Sequence, residues 1–131
     1  MKKISITTRS KEEFLHITSK IEDIARESKV KSGICHIFIP HTTAGITINE
    51  NADPSVKRDI LDALERLVPS HGGYAHAEGN APAHIKSTLV GMDKTIFVED
   101  GKLKLGTWQG IFFCEFDGPR QRTVFIDVVK T

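Results

Sequence analysis

Several things that would place this 131-residue chain in a special class are scarce or absent. It has two cysteines, Cys35 and Cys114, and neither belongs to a C-x-x-C pair. That excludes a disulfide scaffold and a cysteine-rich zinc fold. Each sits in an apolar run, GICHIFI or GIFFCEF, and reads as a buried, reduced thiol on a strand. No stretch approaches the ~20 apolar residues of a membrane span, so no membrane association is expected. The opening MKKISITTRS has two lysines with no apolar run behind them. A secretory signal is therefore not expected, and the expected location is the cytoplasm. A net charge of +1 and the lack of a basic run argue against nucleic acid as a partner. No repeat, low-complexity tract or linker-like composition divides the chain, so residues 1–131 read as a single domain.

What is present is an alternation of short strand and helix patterns. Residues 2–8 read as a strand. Ser10-Lys-Glu-Glu13 has the form of a capping box, and Phe14, Ile17, Ile21 and Ile24 follow at helical spacing, so a helix is expected over 11–28. GICHIFIP, residues 33–40, is apolar on both faces apart from His36 and is expected to be a central strand covered twice. GITINE is a further short strand. Asp53 and Pro54 open a second helix as cap and first residue, with Val56, Ile60, Leu61, Leu64 and Leu67 as its buried stripe. Asn80 opens a third, short helix that Gly91 ends, and the segment Gly73 to Asn80 reads as loop.

The remainder is strand-rich. Segments 94–99 and 102–106 flank Asp100-Gly101, a hairpin turn. Segments 110–116 and 122–129 are joined by Asp117-Gly118-Pro119-Arg120, which has turn chemistry. Strands linked this way, with helices interspersed, predict an α+β domain with a largely antiparallel sheet system and helices packed on it.

Four polar segments could carry chemistry. His41-Thr42-Thr43 follows the end of a buried strand, where ligand contacts are common, although a hydroxyl-capped turn accounts for it equally well. In Asn49-Glu50-Asn51-Ala52-Asp53, Asp53 is needed as a helix cap, which leaves Asn49 and Glu50 free. His76-Ala-Glu78-Gly79-Asn80-Ala-Pro-Ala-His84 places two imidazoles and a carboxylate within nine residues, on a loop running into a helix. Imidazole suits zinc and related ions, and His41 would make a third ligand, leaving a position open for water or substrate. Glu78 could then serve as base, and solvated loop histidines are the plainer account. In the last segment Trp108 reads as a turn plug or a pocket wall. Arg120 offers a fork for carboxylate or phosphate, or closes the turn by pairing with Glu115 or Asp117. His16 is expected on the exposed side of the first helix, His36 as a satisfied core histidine within a strand, and His71 on loop surface.

The strings HTTAGITINENADPSV, YAHAEGNAPAHIKSTLVG and GKLKLGTWQGIFFCEFDGPR, with the spacing between them, resemble the YjbQ-type family of secondary thiamine-phosphate synthase enzymes over nearly the whole chain. The resemblance implies an α+β domain with a β-sandwich-like core, flanking helices and assembly as a homotrimer. It implies a divalent metal held by His41, His76 and His84, for which three imidazoles favour zinc or nickel over magnesium. It implies a weak thiamine-phosphate synthase activity, in which a pyrimidine pyrophosphate joins a thiazole phosphate and pyrophosphate leaves. Glu78, Lys86 and Arg120 are then the expected catalytic groups. Thr42, Thr43, Asn49, Asn80, Trp108 and Glu115 are the expected contacts to a small phosphorylated substrate. The ligand types equally suit a metal-assisted hydrolysis or lyase step. A non-catalytic trimer binding a metal or small ligand is the competing reading.

Overall fold

The computed structural model describes residues 1–76 and 79–131. Among them the elements run β1 (Lys2–Thr7), β2 (Glu13–His16), α1 (Thr18–Glu27), β3 (Ser32–Phe38), β4 (Ala44–Glu50), α2 (Pro54–Leu67), α3 (Ala81–Val90), β5 (Asp93–Glu99), β6 (Lys102–Leu103), β7 (Gln109–Glu115) and β8 (Gln121–Lys130). The α+β expectation holds. Every strand pairing is antiparallel. The strands form a five-stranded sheet in the order β1-β8-β3-β5-β6 and a three-stranded sheet in the order β2-β7-β4.

Alternation along the strands builds two cores. Cys35, Ile37, Ile96, Val98, Val124 and Ile126 of the large sheet meet Ala44, Ile46, Ile111 and Phe113 of the small one, with Ile17, Ile21 and Ile24 closing the end. The opposite face of the small sheet carries Phe14, Phe112 and Cys114. With Phe116 and Ala83 they form the second core, against which Ile60 and Leu64 of α2 and Val90 pack. Each apolar side chain so enclosed contributes roughly 1.5–3 kcal/mol. The central strand β7 is therefore buried on both faces from Gly110 to Glu115.

Four expectations change. The helix expected over 11–28 begins only at Thr18. Half of the capping box forms, since the Glu13 carboxylate accepts from the backbone N–H of Arg9 and Ser10 at 2.6 and 3.0 Å. It braces a turn into β2, because Phe14 is worth more as a β7 neighbour over the second core than on a helix face. His16 accordingly ends a strand. Its Nε2 lies 2.6 Å from the Thr18 hydroxyl, and its ring lies 5.2 Å from that of Phe112.

β3 is central but covered once: Phe38, Phe97 and Val129 lie on the outer face of the large sheet, with Phe97 69% exposed, and His36 is on that face too, partly exposed beside the Thr95 hydroxyl at 2.9 Å and not in the core. The stripe of α2 is only half-buried, and Leu67 is exposed. Finally, β7 and β8 are consecutive without forming a hairpin, because the turn 117–120 carries the chain from one sheet to the other.

The Asp100-Gly101 hairpin forms as expected, with both residues at positive φ of 53° and 77°. Asp53 caps α2 by accepting from the Ser55 N–H at 2.9 Å, and this bond holds its carboxyl below the ordinary value. Asn80 stands at the start of α3, but its side chain makes no capping bond.

Candidate functional site

Three segments converge at the end of the small sheet where β4 begins and β7 ends, Ala44 opposite Glu115. They are the β3–β4 connection with His41, Thr42 and Thr43, the start of α3 with Asn80 and His84, and the β7–β8 turn with Asp117 and Arg120. Ser87 of α3 ties the first two together, its hydroxyl donating to the Ala44 carbonyl at 2.6 Å. Asn80 ties the second to the third, its Nδ2 donating to Asp117 Oδ2 at 2.9 Å. The Asn80 Oδ1 is buried and has no partner among the described residues. It belongs to a small cleft shared with Lys11, Ser70, Phe116 and Asp117. A buried acceptor left unpaired is costly, so a donor from water or ligand is its natural complement.

His76 and His84 come together. Their ring centroids are 5.2 Å apart and their planes stand at 81°. A loop residue and a helix residue eight positions apart in sequence thus become neighbours. His41 is differently engaged. Its Nε2 accepts from the Thr123 N–H at 2.9 Å, which fixes the neutral tautomer with the proton on Nδ1. Burial, and after it the Arg122 guanidinium, holds its pKa below the ordinary histidine value. Only its Nδ1 side remains for other partners. Among the described residues, no three His, Cys, Asp or Glu side chains are placed to hold one ion. Two imidazoles are the donor type that a borderline ion such as zinc or nickel takes, whereas magnesium requires oxygen donors. Glu78 lies outside the described residues.

The cations and polar groups expected around substrate have other tasks. Lys86 is 1% exposed, and its Nζ donates to Glu12 Oε2 at 2.6 Å and Glu65 Oε1 at 3.2 Å. Arg120 pairs with Asp117, Nη2 to Oδ2 at 3.1 Å, closing the turn. Glu115 is fully buried and accepts from Arg122, from the Thr8 hydroxyl and from the Asp117 N–H. Thr43 is buried as well, its hydroxyl accepting from Arg122 at 2.9 Å. Thr42 is exposed. Asn49 and Trp108 lie at the opposite end of the small sheet, about 17 Å along β4 from Ala44 at roughly 3.4 Å per residue. Both are exposed there, Trp108 on a turn that it does not plug.

The sequence reading missed Arg122 and the Glu12–Lys86–Glu65 cluster. Arg122 sits in an alternating strand pattern at an inward position, and a charged residue there was the available signal.

Fold and site together define a class: a small α+β domain of two antiparallel sheets with a polar, histidine-bearing end. The chain belongs to the UPF0047 protein YjbQ-like family, which it matches over residues 2–131. It is 57% identical over 127 residues to a UPF0047 protein of Methanocaldococcus jannaschii, covering 97% of this chain and 92% of that one. It is 49% identical over 130 residues to YugU of Bacillus subtilis, covering 98% of both. A crystal structure of an uncharacterised family member from Clostridium acetobutylicum superposes with a TM-score of 0.97 at 52% identity, covering 98% of this chain and all of that one. A Sulfolobus solfataricus protein described as of unknown function superposes with a TM-score of 0.95 at 34% identity, covering 99% of this chain and 96% of that one.

Proposed function

We propose that this protein is a small enzyme whose His76 and His84 bind a zinc- or nickel-type ion next to the start of α3, acting on a small phosphorylated or carbonyl compound. The observation that carries this is the contact between the two imidazole rings. When bound, such an ion supplies Lewis acidity toward a carbonyl or phosphoryl oxygen. Around it the chain's own groups orient: Asn80 presents an unpaired acceptor, and His41, held neutral, offers an N–H from Nδ1.

The weak thiamine-phosphate synthase activity stays within this reading as a secondary capacity. Releasing pyrophosphate calls for free cations, and Lys86 and Arg120 are each tied to carboxylates. That favours a metal-assisted hydrolysis or lyase step as the native reaction.

We further propose that the chain works as a homotrimer. Two ligands from one chain leave the ion's shell incomplete, so a subunit boundary is a natural place for the rest. Cross-strand neighbours Val129, Ile34 and Phe97, with Phe38 stacked on Phe125 at 6.4 Å, give the large sheet an apolar outer face suited to contact between copies.

The test is metal content of untagged protein beside His76→Ala and His84→Ala, followed by assay of thiamine-phosphate formation. Metal near one ion per chain, lost in both variants, is expected. Retention of metal in both variants, or magnesium as the only ion, would overturn the assignment. A tightly metallated protein whose four ligands leave no open position would favour the non-catalytic reading.

A further inference from the structure

We propose that Lys86 is a positioning residue: with Glu12, Glu65 and Ser70 it forms a clamp that sets the spacing of His76 and His84. The proposal rests on the reading of those histidines as a ligand pair. Lys86 lies two residues beyond His84 on α3, and its Nζ is enclosed. Its two partners come from different parts of the fold, Glu12 from the β1–β2 connection at 2.6 Å and Glu65 from the last turn of α2 at 3.2 Å. Glu65 reaches onward: its Oε2 accepts from the Ser70 N–H at 2.7 Å and its Oε1 from the Ser70 hydroxyl at 2.9 Å. Ser70 opens the connection that carries His76. Just ahead of that connection, the Pro69 carbonyl accepts from the Tyr74 hydroxyl at 2.6 Å. One ammonium thus links the helix bearing one histidine to the root of the loop bearing the other.

The physical logic follows from what α3 and the loop otherwise lack. Residues 71–76, which carry His76, form no strand or helix. Backbone pairing does not place such a segment against α3, so a side-chain cross-link at its root is the means of fixing it. A buried lysine with two carboxylates is a directional cross-link, and removing one partner leaves the others poorly satisfied. Such groups set geometry more reliably than they add stability. Glu65 also has its carboxyl held below the ordinary value, first by the Ser70 N–H and hydroxyl and then by Lys86.

The test titrates zinc chloride into untagged protein by calorimetry and follows amide hydrogen exchange of the 69–76 segment in metal-free protein. Lys86→Met, Glu65→Gln and the rescue variant Lys86→Arg are compared with the parent chain. Expected are a tenfold or greater loss of zinc affinity and faster exchange confined to 69–76 in the first two variants, with Lys86→Arg recovering both. Unchanged affinity and exchange in Lys86→Met and Glu65→Gln would overturn the clamp. Should the parent chain bind no zinc, the ligand-pair reading falls, and the exchange data still decide the clamp by the same criterion. Should Lys86→Met fail to fold, Ser70→Ala, which leaves Lys86 and Glu12 paired, gives the same two readouts.

Discussion

Arg122 of the large sheet and Glu115 of the small sheet form an enclosed ion pair that joins the two sheets at the functional end. The guanidinium Nε donates to Glu115 Oε1 at 2.8 Å, and Nη2 donates to Glu115 Oε2 and to the Thr43 carbonyl. Side-chain exposure is 2% for Arg122 and 0% for Glu115. Truncating either partner strands the other charge in the interior, which costs about 3–5 kcal/mol. Glu115→Gln and Arg122→Met should each lower stability by that order in urea unfolding. The double variant Glu115→Leu with Arg122→Met should lose less than the sum of the singles. Singles that each cost under about 1 kcal/mol would show that the pair is not the strut described.

His41 makes stability depend on pH in one direction. Its folded pKa lies below the unfolded value near 6.5, so the unfolded chain binds more protons in that range. The stability His41 contributes is full above about pH 6.5 and is lost as pH falls through the folded value. Unfolding midpoints should drop between pH 7.5 and 5.5, and His41→Gln should flatten that segment of the profile. A profile of equal slope in the variant would count against the neutral, Thr123-bonded histidine.

Both thiols should be silent in the native protein. Burial, and after it Asp127, pushes the Cys35 thiol up to about 11, and burial pushes Cys114 higher still. A thiol reagent at pH 8 should report no reaction until guanidinium is added, then two thiols per chain. Prompt native labelling would place one of them at the surface.

Gly33 has no room for a side chain. A Cβ there would lie 2.1 Å from the Val129 carbonyl oxygen on the neighbouring strand, a backbone atom that cannot turn aside. Gly33→Ala should destabilise by about 1–3 kcal/mol, with strand β3 pushed off β8. Thermal melts of the variant read this directly, and a shift of less than a degree would contradict it.

The outer face of the large sheet should respond to charge. Phe97→Lys combined with Val129→Lys leaves both cores untouched, since both side chains point outward. Light scattering should show the mass falling from three chains to one with the circular dichroism retained. A mass unchanged by the double substitution would remove this face from the proposed interface.

Local patterns were enough for much of the fold. Asp53-Pro54 started α2 and Asp100-Gly101 turned the β5–β6 hairpin, because capping bonds and positive φ depend on residues a few positions apart. The apolar runs of β3 and β7 announced strands for the same reason. Residues 11–28 misled because Phe14, Ile17 and Ile21 satisfy a helical period while the local Glu13 bonds serve a turn equally well. Pairing with β7 then decides the matter, a contact across about a hundred residues.

The site divides along the same line. The sequence by itself determined that histidines, amides and charged groups were concentrated in four segments, and that one of these ran into a helix at Asn80. Only the tertiary structure decided which of them meet. It set His76 edge-to-face with His84, turned His41 toward Thr123, withdrew Lys86 and Glu115 into ion pairs, and left Asn49 and Trp108 at the far end of the small sheet. The physical reason is that a charged group's role depends on who neutralises it. Glu115 finds Arg122 only because the turn after β7 carries β8 into the other sheet, and Lys86 finds Glu12 across seventy-four positions, a separation at which no local pattern carries information.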